Sequence, residues 1–382
     1  MVTLDELMEL QTLNECAYEC TRQSRWKETT QRYLSNLLVN NVMLRDEVLS
    51  GRYSVQPTTD FTINERGHIR KIEAPAIRDR VVQKTLMKHV LTPSIRPYVI
   101  YDNYASLKER GTSFARKRFE VMLRRYIARN GTDGYVLLGD VRKYFESVDH
   151  DTLKKMIAGR IAGEPQDVID LIYYIIDTSS KNGRGLNLGS ECPQIFAVYY
   201  LNVLDVFIKV VKSVRYYGRY MDDFFVIGKT KAELNSILSE AVLKLKELGL
   251  DINRKKTHIV KLSHGFTFLQ VKYNILPSGK ILKRPSHGKI FRERRRLRGF
   301  RHQVDEKAMT ENDVFGCYKS WKGAVIKDHN ACRKSVSSMD KLYASLFPPH
   351  EEIAKEGRKH LIESAFKDAE REDLYYCLKF NH

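Results

Sequence analysis

The sequence predicts an α+β fold: an antiparallel sheet backed by helices, followed by a separate basic helical segment. Three observations carry this expectation. In Tyr216-Tyr217-Gly218-Arg219-Tyr220-Met221-Asp222-Asp223-Phe224-Phe225-Val226-Ile227-Gly228, apolar and aromatic residues flank two adjacent acids. The alternation reads as two strands with Met221-Asp222 at the tight turn between them. On either side of this hairpin, apolar residues recur at helical spacing over long stretches. Beyond residue 280 the composition turns basic: Lys283, Arg284, Lys289, Arg292, Arg294, Arg295, Arg296, Arg298 and Arg301 stand against Glu293 alone.

In chain order, residues 1–50 are expected to be helical, because Leu4, Leu7, Leu10 and Leu13, then Tyr33, Leu34, Leu37, Leu38 and Val42, keep helical period. Gly51-Arg52-Tyr53 breaks it. Residues 61–72 read as a hairpin turning at Arg66-Gly67. Arg70, Lys71, Arg78 and Arg80 cluster on and after it, either as a solvated face or as a grip on phosphates. A helix is expected over residues 77–90, ended by Pro93 and Pro97. Residues 98–111 are loop-rich. Residues 134–140 form a short continuous apolar run, typical of a buried strand, that delivers Asp140 at its end. Helices follow through residues 152–157 and 168–176. Residues 181–190, with three glycines, read as a mobile loop, and Pro193 suits the first position of a long helix over 194–211. After the central hairpin a helical period runs from Leu234 to Leu248 and stops at Gly249. Residues 250–257 and 266–273 read as strands and Pro277-Ser278-Gly279 as a turn. Pro348-Pro349 marks a boundary before a charged amphipathic helix.

With 382 residues, 42% of them hydrophobic, the chain can bury a core of two or three subdomains. A net charge of +18 predicts a polyanionic partner, nucleic acid before a membrane surface. No apolar run of transmembrane length is expected, and residues 1–6 lack the basic and apolar regions of a secretory signal. The six cysteines are scattered and read as reduced thiols of a cytoplasmic protein. Cys16 and Cys20, one helical turn apart, could share a metal, but no nearby His or Cys pair completes a site.

Two carboxylates at a hairpin tip repel each other, and a divalent cation offsets this; hard cations such as Mg²⁺ prefer carboxylate oxygens. An isolated Asp-Asp turn is by default a solvated one, so the third acid upstream matters. Two-metal nucleotidyl transfer needs carboxylates from different strands converging on two ions about 4 Å apart. Asp140 at a strand end and Asp222 at a hairpin tip are suitable donors, with Asp223 supporting.

The blocks around these acids resemble those of prokaryotic reverse transcriptases. Val136-Leu137-Leu138-Gly139-Asp140-Val141-Arg142-Lys143-Tyr144-Phe145 resembles their motif A, and Tyr220-Met221-Asp222-Asp223 their YxDD motif C. Ile77–Gln83 and Tyr101–Ser106 are similar to the early blocks, Asn253–Thr257 to the LNxxKT block, Phe268-Leu269-Gln270 to the primer grip and Tyr318–Gly323 to the thumb. YxDD alone is a weak signal; the blocks in order over residues 25–346 are a strong one. Leu186–Gln194 ends in Pro193-Gln194: Gln194 resembles the Ser-Gln ending of the diversity-generating retroelement type and of related unclassified and antiphage-defence enzymes, while Pro193 departs both from that ending and from the Ser-Pro of group II intron and retroviral enzymes.

The resemblance implies a right-hand polymerase with an antiparallel palm sheet backed by helices. Residues 1–84 would be N-terminal helices and fingers, 85–280 the palm with an inserted fingers segment, 281–347 the basic helical thumb and 348–382 a helical extension. It implies RNA-templated DNA synthesis with two Mg²⁺ ions, for which Mn²⁺ could substitute. Asp140, Asp222, Asp223 and the carbonyl of Val141 would hold the metals. Lys256 would protonate pyrophosphate, unless it is a solvated strand-end lysine. Arg70 would grip the triphosphate, with Lys71 and Arg78 as weaker candidates, and Gln194 would contact the nucleotide. Phe145, five residues after Asp140, would sit beneath the sugar, with Tyr144 facing the other way in an extended segment. Alternatively, Phe145 is a core residue pointing away. Arg292, Arg295 and Arg296 would hold the template–primer backbone. The implied partners are a dedicated non-coding RNA template, the DNA product, dNTPs and a small accessory protein, with no membrane. No room is expected for an RNase H or endonuclease domain after the thumb. An RNA-dependent RNA polymerase is the first rival, disfavoured by Phe145 where those enzymes carry an acid. A catalytically inactive RNA-binding scaffold is the second, disfavoured by three intact acids.

Overall fold

The computed structural model describes residues 1–348 except 66, 67, 181, 188 and 190; within the first hairpin, the side chains of Glu65, His68 and Arg70 are also outside the description. The extension expected at 348–382 and Cys377 fall almost wholly outside the described residues. The chain forms two compact units. One comprises residues 1–269 and 273–281; the other comprises residues 270–272 and the described residues from Leu282 to Pro348.

The first unit opens with four helices, Leu4–Leu7, Leu10–Thr21, Glu28–Ser35 and Leu37–Leu49. An antiparallel hairpin follows, β1 (Thr59–Glu65) with β2 (His68–Ala74), in the register Glu65↔His68. The Ile77–Leu86 helix does not stop before Pro93. It widens into a π-helical turn at Met87–Leu91 and resumes at Thr92–Ile95, where Pro93 occupies an opening position. Proline removes one backbone donor, and a widened turn re-pairs the ladder around such a gap.

The central sheet has the order β4-β5-β3-β6, all antiparallel: β3 is Tyr135–Asp140, β4 Tyr217–Tyr220, β5 Asp223–Gly228 and β6 His258–Lys261. Successive side chains of a strand face opposite ways, and both faces of β5 are buried. Phe224 and Val226 join the large core that includes Phe196, Ile157 and Leu137. Phe225 packs edge-on against Phe119 of the Thr112–Asn130 helix, with ring centroids 4.7 Å apart. The close approach of the Phe224 ring leaves no room for a Cβ at Gly139, one residue before the predicted metal ligand.

The helix expected from Pro193 begins earlier, at Glu191, which puts Pro193 third rather than first. The first helical N–H groups lack intrahelical partners anyway, so proline fits there too. The run Glu191–Val211 is in fact long and apolar enough to cross a membrane by length and composition, against the sequence expectation; 67% of that window is buried inside the protein, where it backs the sheet. It is interrupted at Leu201 and widens into a π-turn at Phe207–Val211.

Two expected strands are not single strands. Residues 250–257 form one bridge, Ile252 to Val141, and then a turn in which the Asn253 carbonyl accepts from Lys256 and Thr257. Residues 266–273 split into β7 (Phe266–Phe268) and β8 (Val271–Ile275), because Leu269 and Gln270 both take left-handed φ, 43° and 68°. The Pro277–Gly279 turn forms as expected, with Gly279 at φ 79°.

The second unit holds the helices His287–Asp305, Glu311–Asp328 and Arg333–Leu346 around Leu297, Val314, Tyr318, Met339 and Phe347. Tyr318 stacks on Tyr343 at 4.6 Å. Glu293, the lone acid of the basic run, is buried and accepts from Arg296 at 2.8 Å; burial pushes its carboxyl above the usual range. Arg295 is exposed, and Arg292 is half-buried with its guanidinium 3.5 Å from the Gln270 amide oxygen.

Candidate active site

The site begins with the register of three strands. Asp140, the last residue of β3, lies opposite Asp223, the first of β5. The carbonyl of Asp222 in the β4–β5 turn accepts from the Val141 amide at 3.3 Å. The three acids expected to cluster are thus neighbours along the ends of two paired strands. Asp140 is 5% exposed. Its amide donates to the Thr257 hydroxyl at 3.2 Å and its carbonyl accepts from Asn253 at 2.7 Å, so the 253–257 turn fixes the strand end.

That turn also delivers Lys256, whose ammonium lies 2.8 Å from the Asp140 carboxylate. The hydrogen bond to Asp140, then the fields of Asp140, Asp223 and Asp222, hold the Lys256 pKa above its ordinary value. Lys256 is a turn residue, not a strand-end one, and it feels all three acids at once.

A fully buried bracket sits under the catalytic turn. Arg219 and Asp205 are both 0% exposed and pair through two contacts, at 2.7 and 2.6 Å. Tyr217 donates its hydroxyl to the same carboxylate at 2.5 Å. The other donors of Arg219 reach the Val198 carbonyl at 2.9 Å and the Met221 carbonyl at 2.8 Å. Met221 itself takes a left-handed φ of 52°, a conformation that costs a non-glycine residue energy and persists only where its surroundings enforce it.

Asp140, Val141 and Asp222 open onto a cleft of about 1300 Å³, whose wall also carries Lys71, Gln83, Tyr144, Phe145 and Lys256. The donor set toward this cleft is all oxygen, the kind Mg²⁺ prefers. Among the described residues, no three His, Cys, Asp or Glu side chains gather into a metal cage of their own. Mg²⁺ typically takes only one or two carboxylates from a protein and completes its shell with water and substrate phosphates, so Asp140, Asp222 and the Val141 carbonyl fit it. Bound there, such ions supply Lewis-acid stabilisation of the charge on transferring phosphates.

The other predicted residues divide. Lys71 lines the cleft but is held by Asp60 at 2.8 Å and Glu73 at 3.2 Å. Arg78, expected to face the triphosphate, is instead engaged by both oxygens of Glu47 and lies over the Tyr53 ring. Gln194, expected to touch the nucleotide, is not among the described residues lining the cleft; its amide oxygen accepts from Ser106 at 3.0 Å. Tyr144 and Phe145 are not in an extended segment. Lys143 takes φ 46° and a single helical turn, Tyr144–Ser147, follows. Neighbours on a helical turn do not face opposite ways, and both rings line the cleft, 5.6 Å apart. The Tyr144 hydroxyl is tied to the Ala197 carbonyl, while Phe145 is half-buried. The arginines at 292, 295 and 296 belong to the second unit.

Gln83 was not singled out from sequence. It is 6% exposed, lines the cleft, and its side-chain oxygen has no hydrogen-bond partner among the described residues. A buried acceptor without a partner calls for a donor from outside. Its position at the end of the Ile77–Gln83 block was the available signal.

A four-stranded antiparallel sheet backed by helices, with acids at the ends of two adjacent strands beside an open cleft, is the palm of a right-hand polymerase. The chain belongs to the reverse transcriptase (RNA-dependent DNA polymerase) family, whose sequence profile matches residues 59–273. Protein YkfC of Escherichia coli (strain K12) is similar at 26% identity, over 62% of this chain and 71% of that protein. Among solved structures, the chain is similar to apo telomerase from Candida tropicalis truncated from its C-terminal domain (15% identity, TM-score 0.46, 64% of this chain and 60% of that one). It is also similar to telomerase from Candida albicans in complex with a fragment of telomeric RNA (14% identity, TM-score 0.46, 75% of this chain and 55% of that one). The chain therefore spans less than two thirds of the telomerase chains it matches.

Proposed function

We propose that the chain is an RNA-directed DNA polymerase that makes cDNA from a dedicated non-coding RNA, using dNTPs and two Mg²⁺ ions or Mn²⁺ in their place. The observation that carries this reading is the convergence of Asp140 and Asp222 on one cleft, with Lys256 seated on Asp140. In this reading Asp140, Asp222 and the Val141 carbonyl hold the metals, and Asp223 supports Asp140 from the paired strand. Lys256, kept protonated by the three acids, gives its proton to the leaving pyrophosphate. Arg70 and Lys71, on the hairpin strand, take the triphosphate. The basic helix carrying Arg292, Arg295 and Arg296 holds the template–primer backbone. Gln194 supports a diversity-generating or antiphage-defence element; the scattered reduced cysteines support a cytoplasmic setting, and a small accessory protein is a further partner in this reading.

The test is RNA-templated primer extension by the full chain, together with sequencing of the nucleic acid that co-purifies with it. One enriched non-coding RNA is expected, and a fully active, RNA-free enzyme on any template would count against a dedicated partner.

Phe145 sets the sugar choice in this reading. Its ring lines the same cleft as Asp140 and Asp222. A ring beneath the sugar offers a 2′-hydroxyl no hydrogen bond, and burying a hydroxyl unpaired costs about 1–3 kcal/mol. At roughly tenfold per 1.4 kcal/mol, Phe145→Ala is expected to admit rNTPs about 10- to 100-fold better. Tyr144→Ala, at a buried ring, is expected to act mainly on stability. Competition between dNTPs and rNTPs in single-nucleotide incorporation measures this; unchanged discrimination in Phe145→Ala would remove the assignment.

A further inference from the structure

We propose that the first unit carries a second polynucleotide site, outside the catalytic cleft, which grips the phosphodiester backbone of a single-stranded segment of the RNA partner. The inference rests on the proposed function for the identity of that RNA. The pocket is a separate feature, sharing no lining residue with the cleft.

The pocket, of about 560 Å³, lies where the Thr112–Asn130 helix faces the residues leading into β4. Arg118, Arg125 and Arg129 come from the helix; Lys209 and Arg215 come from the segment before β4. Among the described residues lining the pocket, these five cations face one acid, Asp102. Asp102 is 5% exposed and accepts from Arg118 at 2.9 Å and from Lys209 at 3.3 Å. It therefore positions two cations and leaves the others uncompensated. Lys209 also donates to the Arg215 carbonyl at 2.9 Å, which ties the opposite wall in place. Arg125, Arg129 and Arg215 are exposed, and no acid among the described residues pairs with them. A concavity lined by one sign of charge focuses its field and draws in the opposite charge.

Two features favour a strand over a single free phosphate. Arg118 and Arg129 are separated by about 16 Å along the helix, at 1.5 Å per residue, farther than one phosphate can bridge. Beside the pocket, Arg118 and Arg110 lie 4.8 and 5.3 Å from the centroid of the Tyr101 ring, which is 60% exposed and is not itself among the described residues lining the pocket. Cations beside an exposed aromatic ring are the combination that holds single-stranded nucleic acid, the charges taking phosphates and the ring a base.

The full chain is titrated with a short labelled single-stranded RNA while a hairpin template–primer saturates the cleft. The variant R125A/R129A/R215A is expected to bind that RNA about tenfold or more weakly. Each phosphate contact on a single strand contributes about 0.7 to the salt slope, so the slope should flatten by about 2. Primer extension on the hairpin should be unchanged. R22A/R25A/K27A removes the same charge from exposed positions near the N-terminal helices and should bind as the parent does. Equal losses in the two triple variants would reduce the effect to general charge and overturn the site. So would an unchanged RNA affinity in R125A/R129A/R215A, or a loss of inorganic phosphate binding alone. Should that variant misfold by circular dichroism, Arg215→Glu alone must show the RNA defect. A parent that cannot polymerise would sink the polymerase reading, whereas this inference is scored on RNA binding.

Discussion

Asp222→Asn is expected to abolish primer extension and leave the fold intact. The substitution keeps the size of the side chain and removes one negative charge from the pair that faces the cleft. Asp222 sits in the two-residue turn between β4 and β5 and is half-buried, so no packing is lost. The turn keeps its backbone bond to Val141 and its anchor on Arg219, which both use main-chain carbonyls. What is lost is a hard anionic ligand for the cation that would stabilise the charge on the transferring phosphate, an interaction of several kcal/mol in metal-assisted transfer, hence about 10³-fold or more in rate. Asp223→Asn is expected to cost less, because Asp223 pairs with Asp140 across the strands and is not among the described residues lining the cleft. Extension of a labelled primer, beside thermal melts of each variant, measures both. Polymerisation by Asp222→Asn at the parent rate would rule out the assignment of the acids.

Local alternation made this part of the molecule readable. The hairpin around Met221-Asp222 and the apolar strand ending at Asp140 were expected where they form, because each buries side chains within a few residues of its own sequence. The turn at 253–257 was read as a strand, although Asn253 at its start is the residue type that favours opening a turn. The break between β7 and β8 gave no such signal: two left-handed residues usually appear as Asn-Gly or Asp-Gly, and here they are Leu269-Gln270. The Phe145 environment was reached by a false step. The motif spacing put its ring near the acids, but the extended segment invoked to aim it is a helical turn.

Tertiary partners decided the rest. Arg78 looked like a phosphate grip because it lies near other cations in sequence; its partner, Glu47, is 31 residues away. Gln194 is engaged by Ser106, 88 residues away. No spacing rule carries such pairs. Asp205 did leave a mark, as a lone acid in an apolar helical run from Gln194 to Val211. A charge in such a place is buried only with a partner, and the partner is the arginine that precedes the YxDD motif.

Removing that arginine is expected to have the largest effect on the protein as a whole. Arg219→Met leaves the Asp205 carboxylate, at 0% exposure, with the Tyr217 hydroxyl as its one remaining side-chain partner among the described residues. Breaking one side of a buried ion pair costs about 3–5 kcal/mol, because the remaining charge stays desolvated, a large part of the ~5–15 kcal/mol that holds a domain folded. Urea unfolding of the single variant should show that loss. The double variant Arg219→Met/Asp205→Leu should recover most of it, since replacing both partners with apolar groups removes the uncompensated charge. Activity should not return with stability. The Met221 carbonyl would still lack the 2.8 Å bond that holds the turn carrying Asp222, and Met221 would be free to leave its left-handed conformation. A displacement of about 1 Å at reacting groups costs on the order of 10²-fold in rate, so the refolded double variant should show a kcat lowered by about that factor with little change in KM for dNTPs. A double variant that regains stability and kcat together would make the bracket structural only and would sink its role in positioning Asp222.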